Sequence, residues 1–599
     1  MMKKNFILTI ACTILVAGAL HGQENRPQPS EAEIARMKEA MPKTATVKPA
    51  KPRNVLVYVD TKGFYHTSIP FATKALELIG EQTGAFKVAD VSGDPSVFEP
   101  ENLKKYDVIV LNNNTSRLPL GGVDTKKMED GPEKQAAEAR EMRLRSGLLD
   151  FVRTEGKGIL GIHAAIDAMY DWPEYGEMMG GYFNLHPWSE RVGVELVDPG
   201  HPLMAGWRGC PFYVRDEIYQ VKEPYSRDNL RVLMRLDTQR TNMNKGDAIR
   251  RDDGDFALAW LKRYGKGRIV YIGLGHYHEL FWNPGMLQML CDSIQYCAGD
   301  LKCDERPSNQ LDEAYLKASA KEGFERGLKV ILENLSQYKY SIDDTEARQV
   351  ERLVNDAEAP DQRDRARILA AGLASLLKPT SSVDARNFAL RQLSRIGAAS
   401  EVAAIASQLS DEDTAVMSLY ALQRIGGAEA DRALIAGLAS VPKQRIGIAL
   451  TLGHRRCAAA VPALKPLLAD ASCGSEVAIA LGMIGTKDAL DALTDALPVA
   501  KGDLRKSIIF GMVDCLGMVP EADCVAASNA ILNAADSPAN ARAAAQATLF
   551  KAAGAKADAA AVTACLTKGD LLMKSAVAKA LPSMGDALLE LGRYAEAES

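Results

Sequence analysis

Apolar and polar positions along the chain fall into two regimes that meet near residue 302. In the first, short aliphatic runs alternate with stretches of helical period. Val55–Asp60 (VLVYVD), Val108–Asn112 (VIVLN) and Gly158–Ile162 (GILGI) read as buried strands. Ile69–Gly80 and Lys134–Glu155 carry apolar residues at helical spacing. Ala257–Tyr264 and Arg268–Gly273 flank Gly265-Lys266-Gly267, which predicts an antiparallel hairpin, and Met286–Ala298 predicts a closing helix. Strands that alternate with helices predict a parallel α/β sheet.

From about Asp312 strand signals almost vanish, and Ala, Leu and Ile recur at helical spacing. A short pattern, Ala-Leu-x-x-Ile/Met-Gly, occurs at Ala421–Gly426, Ala480–Gly485 and Ala580–Gly585. Looser copies end at Gly397, Gly453, Gly517 and Gly554, at intervals of about thirty residues. Paired short helices, each closed by a glycine at its C-cap, predict a stacked α-solenoid.

The chain opens differently. After Lys3 and Lys4, Phe6–Ala19 is an apolar stretch, and polar residues follow from His21. At 1.5 Å per residue those fourteen residues cover roughly 21 Å, short of a bilayer core of about 30 Å. A cleaved secretory signal over residues 1–22 is the expected reading, which places the mature protein in the periplasm without a transmembrane segment. A lipid anchor at Cys12 is less favoured, because Thr9-Ile10-Ala11-Cys12 lacks the usual Leu three residues earlier. Residues 23–53, rich in Pro, Lys, Glu and Ala, read as a linker with one short helix near Glu31–Ala40. The expected organisation is therefore signal 1–22, linker 23–53, α/β domain 54–302, helical connector 303–379 and repeats 380–590.

Composition narrows the function classes. The 599 residues are 47% hydrophobic and 25% charged, and 72 Lys+Arg stand against 77 Asp+Glu, a net charge of −5. This is ordinary globular composition, without the polycationic surface that nucleic acid would demand. None of the ten cysteines forms a C-x-x-C pair, which excludes the common zinc ribbons and thioredoxin-type sites. The nine left after the leader read as buried small hydrophobes.

Candidate chemistry is concentrated. Six of the eight histidines (His66, His163, His186, His201, His276 and His278) and all five tryptophans lie in residues 54–302. In an open parallel sheet, ligands bind beyond the carboxyl ends of the strands. His66 follows the first strand, Asn112-Asn113-Asn114 the second recognisable one, His163 the strand GILGI, and His276 and His278 the strand RIVYIG. Separate strand ends thus deliver imidazoles, which titrate near neutrality and ligate metals, to one rim. Three other motifs weigh less. Gly156-Lys157-Gly158-Ile159-Leu160-Gly161 spells G-x-G-x-x-G but leads into a strand instead of following one, so no nucleotide cofactor is expected. Asp216 and Glu217 are adjacent, and consecutive residues in extended chain point to opposite sides. His276-x-His278 has a metal-like spacing that is equally common in loops.

Several phrases carry a family resemblance: Gly63-Phe64-Tyr65-His66-Thr67-Ser68, Tyr106-Asp107-Val108, Gly158–Ala165, Gly180-Gly181-Tyr182-Phe183, His201-Pro202, Asp216-Glu217-Ile218-Tyr219 and Gly273–His276. In this order they resemble the ThuA (trehalose-utilisation) family over about 54–300, and the chain from 380 to 590 resembles HEAT-type repeats. The first resemblance implies a flavodoxin-like, class I glutamine-amidotransferase-like fold and a role in sugar metabolism, on glycosides or 3-keto-glycosides. It also exposes a departure. The elbow that holds a nucleophilic Cys in glutamine amidotransferases holds His163 here, and the nearest downstream Cys is Cys210. Amidotransferase and cysteine-hydrolase activity are excluded.

The resulting expectation is an exported carbohydrate-processing enzyme using His- or metal-assisted acid–base chemistry. His66, His163, Glu217 and His276 would be catalytic. His66, His163 and His276 would also ligate a divalent ion such as zinc, and Tyr65, Asn113, Trp172, Trp188 and Tyr219 would contact the sugar. The repeats would dock a protein partner. The alternative is a non-catalytic sugar-binding and docking scaffold.

Overall fold

The computed structural model describes residues 26–117 and 123–590; the signal-peptide reading of residues 1–22 lies outside them. Two compact units are present, residues 1–330 and 331–599.

The first unit is built on a nine-stranded mixed sheet. Its strands are β1 (Asn54–Tyr58), β2 (Lys87–Ser92), β3 (Val108–Asn112), β4 (Gly158–Ile162), β5 (Trp188–Leu196), β6 (Phe212–Ile218), β7 (Arg231–Leu236), β8 (Ala257–Tyr264) and β9 (Gly267–Ile272). The order across the sheet is β2-β1-β3-β4-β9-β8-β7-β5-β6. The first five strands in that order pair in parallel and the remainder antiparallel, so the predicted parallel sheet is half of a larger mixed one. Register is set by strict alternation. Val55, Val57, Val108, Val110, Leu160 and Ile162 face one core, whereas Leu56, Tyr58, Ile109, Leu111 and Ile159 face the other. Both faces are therefore buried, which is why these strands read as unbroken apolar runs.

Helices α1 (Glu31–Ala40), α2 (Ile69–Thr83), α3 (Pro132–Arg153), α4 (Pro173–Met179) and α5 (Pro284–Cys297) cover the sheet. α1, α2 and α5 pack on the first face and α3 and α4 on the second. The glycines of the G-x-G-x-x-G phrase serve this packing. A Cβ on Gly158 would lie 2.6 Å from Cys297 Cβ in α5, and one on Gly161 would lie 2.5 Å from Met179 Cε in α4.

Two boundaries differ from the sequence reading. Helix α1 is where the sequence placed it, with a Ser30–Glu33 capping box, but its surroundings are no linker. Met37 and Met41 are buried in the sheet's core, the Thr46 and Val47 amides donate to Gln295 Oε1, and Arg53 pairs with Asp300 at 2.6 Å. At the other end, α6 (Glu313–Leu335) begins inside the first unit, which closes at 330 and not at 302. Buried Arg231 binds Asp198 and the Tyr315 hydroxyl, each at 2.7 Å, Ser319 Oγ donates to Asp198, and Ser308 Oγ accepts the Val232 amide.

Among the described residues the second unit is wholly helical. Val383–Ile396, Ala415–Arg424, Arg445–His454, Gly474–Ile484, Gly502–Leu516 and Ala539–Ala553 each contact the next, an arrangement compatible with repeats. Four of the recurring glycines, Gly397, Gly485, Gly517 and Gly554, occupy C-cap positions. Gly485 and Gly554 close their helices at positive φ, +66° and +50°, whereas Gly397 and Gly517 have negative φ. Gly453 and Gly482 instead permit close crossings: a Cβ would come within 2.9 Å of Ala480 Cα and 2.7 Å of Gly511 Cα respectively. The nine cysteines of the described residues form no disulfide with one another, and seven are buried. No helix among those residues is long and apolar enough to cross a membrane.

Candidate functional site

Four segments distant in sequence deliver one polar cluster. His66 lies in the loop between β1 and α2. His163 follows β4 directly and opens a 3₁₀ turn, His163–Ile166. His276 lies four residues beyond the end of β9, and Glu217 is carried by β6. Three strands separate β6 from β9 in the sheet, yet the Asp216 carboxylate of β6 reaches the backbone of the loop after β9. The antiparallel half must therefore fold over the end of the parallel half, bringing Glu217 to the histidines. One ligand atom from each of His66, His163, Glu217 and His276 lies within 4.8 Å of all the others.

Backbone strain collects here. His163 (φ +45°), Asn113 (φ +57°), Ser116 (φ +63°) and Met169 (φ +57°) all adopt left-handed conformations without being glycine; such residues concentrate at functional sites. The three cluster rings stand edge-on to one another, with centroids 5.0 to 5.4 Å apart and interplanar angles of 78° to 85°.

Electrostatics constrain what the cluster can hold. His163 Nδ1 lies 2.7 Å from the Gly273 carbonyl. A carbonyl only accepts, so Nδ1 carries a proton, and in the neutral ring Nε2 presents a lone pair inward. That Nε2 is 3.4 Å from Glu217 Oε2, and His276 Nδ1 is 3.2 Å from the same oxygen. Despite these separations His163 Nε2, His276 Nδ1 and His66 Nδ1 are all buried without a hydrogen-bond partner: the atoms converge, but not along hydrogen-bond directions. A lone pair aimed at a carboxylate is repulsive unless positive charge lies between them. Burial, aided by His163 and His276, lowers the His66 pKa to about 3, so His66 is neutral at physiological pH. Burial raises the Glu217 carboxyl, but His163 and His276 outweigh it and hold the group well below the usual carboxylate range. Burial lowers His276, and the same Glu217 contact reverses that and leaves it raised. Imidazole nitrogens grouped around an ionised carboxylate are a donor set for a divalent transition-metal ion. The residues present fit such an ion.

The remaining predicted residues separate into neighbours and non-neighbours. Tyr219 is buried with its ring 4.2 Å from that of His163. Asn113 is fully buried and its amide N–H donates to Ile162 O at 3.3 Å, beside the elbow. Tyr65 lies half-buried under the Arg26 guanidinium, 4.3 Å from its ring centroid. Neither tryptophan can offer a stacking face. Trp188 is wholly buried, with Nε1 donating to Asn242 O. Trp172 is buried against Tyr175 and covered by Arg145. Of the His276-x-His278 pair only His276 joins the cluster; His278 stacks on Phe71 at 3.9 Å.

Two residues were not assigned to the site from the sequence. His186, half-exposed, sits with Nδ1 3.3 Å from Glu217 Oε1, the oxygen not shared with the other histidines. Phe64 is 63% exposed although its ring lies 4.8 Å from His66 and stacks at 6.2 Å on His276. Its position next to His66 in Gly63-Phe64-Tyr65-His66 was the available signal.

The chain is similar to the solved structure of a ThuA-like protein from Bacteroides uniformis ATCC 8492, with 23% identity, 42% of this chain and 94% of that one covered, and a TM-score of 0.31. It is also similar to a ThuA-like protein from Parabacteroides merdae ATCC 43184, with 17% identity, 44% and 100% covered, and a TM-score of 0.30. No curated protein matches the chain. Residues 54–297, the span that holds all four clustered residues, match the model of the ThuA family, described as trehalose utilisation.

Proposed function

We propose that this chain is an exported, metal-dependent carbohydrate-processing enzyme that acts on glycosides or 3-keto-glycosides by isomerisation, elimination or hydrolysis. The observation that carries the reading is the convergence of His66, His163, Glu217 and His276 within 4.8 Å, with three imidazole nitrogens buried and unpartnered. A divalent ion held there would supply Lewis-acid polarisation of a sugar oxygen. The protein's own groups do the rest. His163 is fixed in one tautomer by Gly273. His186, half-exposed and against Glu217 Oε1, can hold or release a proton at Nδ1. Phe64 offers an apolar face to a pyranose ring, and the helical unit offers a surface to a protein partner. The carbohydrate assignment is supported by the ThuA match, and export by the apolar stretch Phe6–Ala19 behind Lys3 and Lys4.

The test uses the full chain, with metal content measured and glycosides and 3-keto-glycosides supplied with and without EDTA. Stoichiometric metal and EDTA-sensitive product formation are expected. A metal-free protein that binds sugars without converting them would overturn the enzyme reading in favour of a recognition scaffold.

A further inference from the structure

The loop Gly273–His278 touches every other ligand-bearing segment. The Gly273 carbonyl accepts from His163 Nδ1. The Gly275 carbonyl accepts from the Ser68 hydroxyl at 2.7 Å, two residues from His66, and His278 Nε2 pairs with the Thr67 hydroxyl at 2.8 Å. The fourth tie comes from Asp216, next to Glu217. Its Oδ2 accepts the Gly275 amide at 2.7 Å, and its Oδ1 accepts the amides of His276 and Tyr277 at 3.1 and 3.2 Å.

Asp216 is completely buried. A buried carboxylate is expensive unless its oxygens are filled, and here three successive loop amides converge on it as a nest. The loop has little freedom to move elsewhere. Gly275, at φ +146°, runs so close to the elbow that a Cβ would lie 2.9 Å from Ile162 Cγ2 and 3.3 Å from His163 Cβ. Strand alternation completes the device: on β6, Glu217 enters the cluster while its neighbour grips the backbone that presents His276.

Resting on the metal reading above, we infer that Asp216 is a positioning residue of the centre: it holds residues 275–277 so that His276 Nδ1 reaches the donor cluster, and metal binding through His276 depends on it. Groups that orient first ligands typically change metal affinity 10- to 100-fold when lost. Asp216→Asn keeps the shape but turns one accepting oxygen into an N–H donor facing a loop N–H.

The experiment titrates the full-length chain, freed of metal, with Co²⁺ and records affinity and the visible ligand-field spectrum. Wild type, Asp216→Asn, His276→Ala and the double variant are compared, with folding checked by circular dichroism. Asp216→Asn should weaken Co²⁺ binding about 10- to 100-fold and shift the spectrum toward that of His276→Ala. Introduced into His276→Ala it should change affinity less than about threefold, because both changes remove the same interaction. Unchanged affinity and spectrum in Asp216→Asn, or fully additive losses in the double variant, would overturn the inference while leaving the metal site standing. A wild type that binds no Co²⁺ overturns the metal reading, and this inference with it. If Asp216→Asn does not fold, Asp216→Glu replaces it. That variant keeps the charge and displaces the carboxylate by one methylene, so a wild-type spectrum and affinity there would also overturn the role.

Discussion

At His163 the Gly273 carbonyl accepts the hydrogen bond from Nδ1 and a left-handed backbone aims the ring, so only Nε2 can serve the cluster. His163→Ala should therefore abolish tight metal binding, with a loss of at least about 100-fold, whereas Glu217→Gln, which keeps shape and removes charge, should cost about 10- to 100-fold. His454→Gln, in the helical unit, is the control and should bind as wild type does; calorimetric titration with Zn²⁺ compares the three. A second carboxylate makes a different prediction. Burial pushes the Asp292 carboxyl up to about 6, against the opposing pull of hydrogen bonds from Thr46 and Gln288. Between about pH 4 and 6 the folded chain keeps a proton that the unfolded chain has released, so this group's contribution to stability falls as pH rises. The penalty is complete above pH 6, at most about 3 kcal/mol. Asp292→Asn cannot titrate and its carbonyl still accepts from Thr46 and Gln288. Its stability relative to wild type should thus rise from pH 4 to pH 7 in denaturant melts, and a flat difference would show that Asp292 ionises freely.

Elements buried on both faces were legible in the sequence, because nothing polar interrupts β1, β3 or β4 and β9 carries only Arg268 near its start. The missed strands are β2, at one edge, and β5, β6 and β7 in the antiparallel half. These carry charged residues whose fate only tertiary structure decides: Arg231 in β7 is buried because Asp198 meets it. The site divided along the same line. His66, His163 and His276 follow parallel strands, where topology predicts ligands. His186 lies on a connecting segment with no such rule, Phe64 shares the loop after β1 with His66 but carries no ligating atom, and the tryptophans were misplaced because large indoles serve the core as readily as a sugar. The segment before β1 was misread as a linker because its composition is polar. Its signal was the spacing of Ile34, Met37 and Met41, an apolar stripe three and four residues apart. Met37→Ala should therefore lower the stability of the first unit by about 2–4 kcal/mol, an effect that a solvated linker could not produce and that urea melts of the full chain would reveal.

The chain as a whole divides at residue 330, and the reason is specific. Arg231 and Asp198 are both fully buried, and a buried pair is tolerable only while its remaining hydrogen-bonding groups are filled. Tyr315 and Ser319 fill them, and Gly323 and Gly327 let α6 approach Pro199 and Arg208 at backbone distance. The repeat-like composition beyond 312 hides this, because one amphipathic helix looks the same in sequence whether it caps a sheet or begins an array. A fragment of residues 23–330 should consequently melt cooperatively and bind Co²⁺ as the full chain does, since all four clustered residues precede residue 277. A fragment of residues 23–303 lacks Ser308, Tyr315 and Ser319. It leaves the Val232 amide and two charged groups short of partners in the interior, at about 1–3 kcal/mol each, and uncovers the apolar surface under Phe324. It should melt well below the longer fragment or fail to stay in solution. Equal melting temperatures for the two would place the boundary at 302 after all and reduce α6 to a decoration of the first unit.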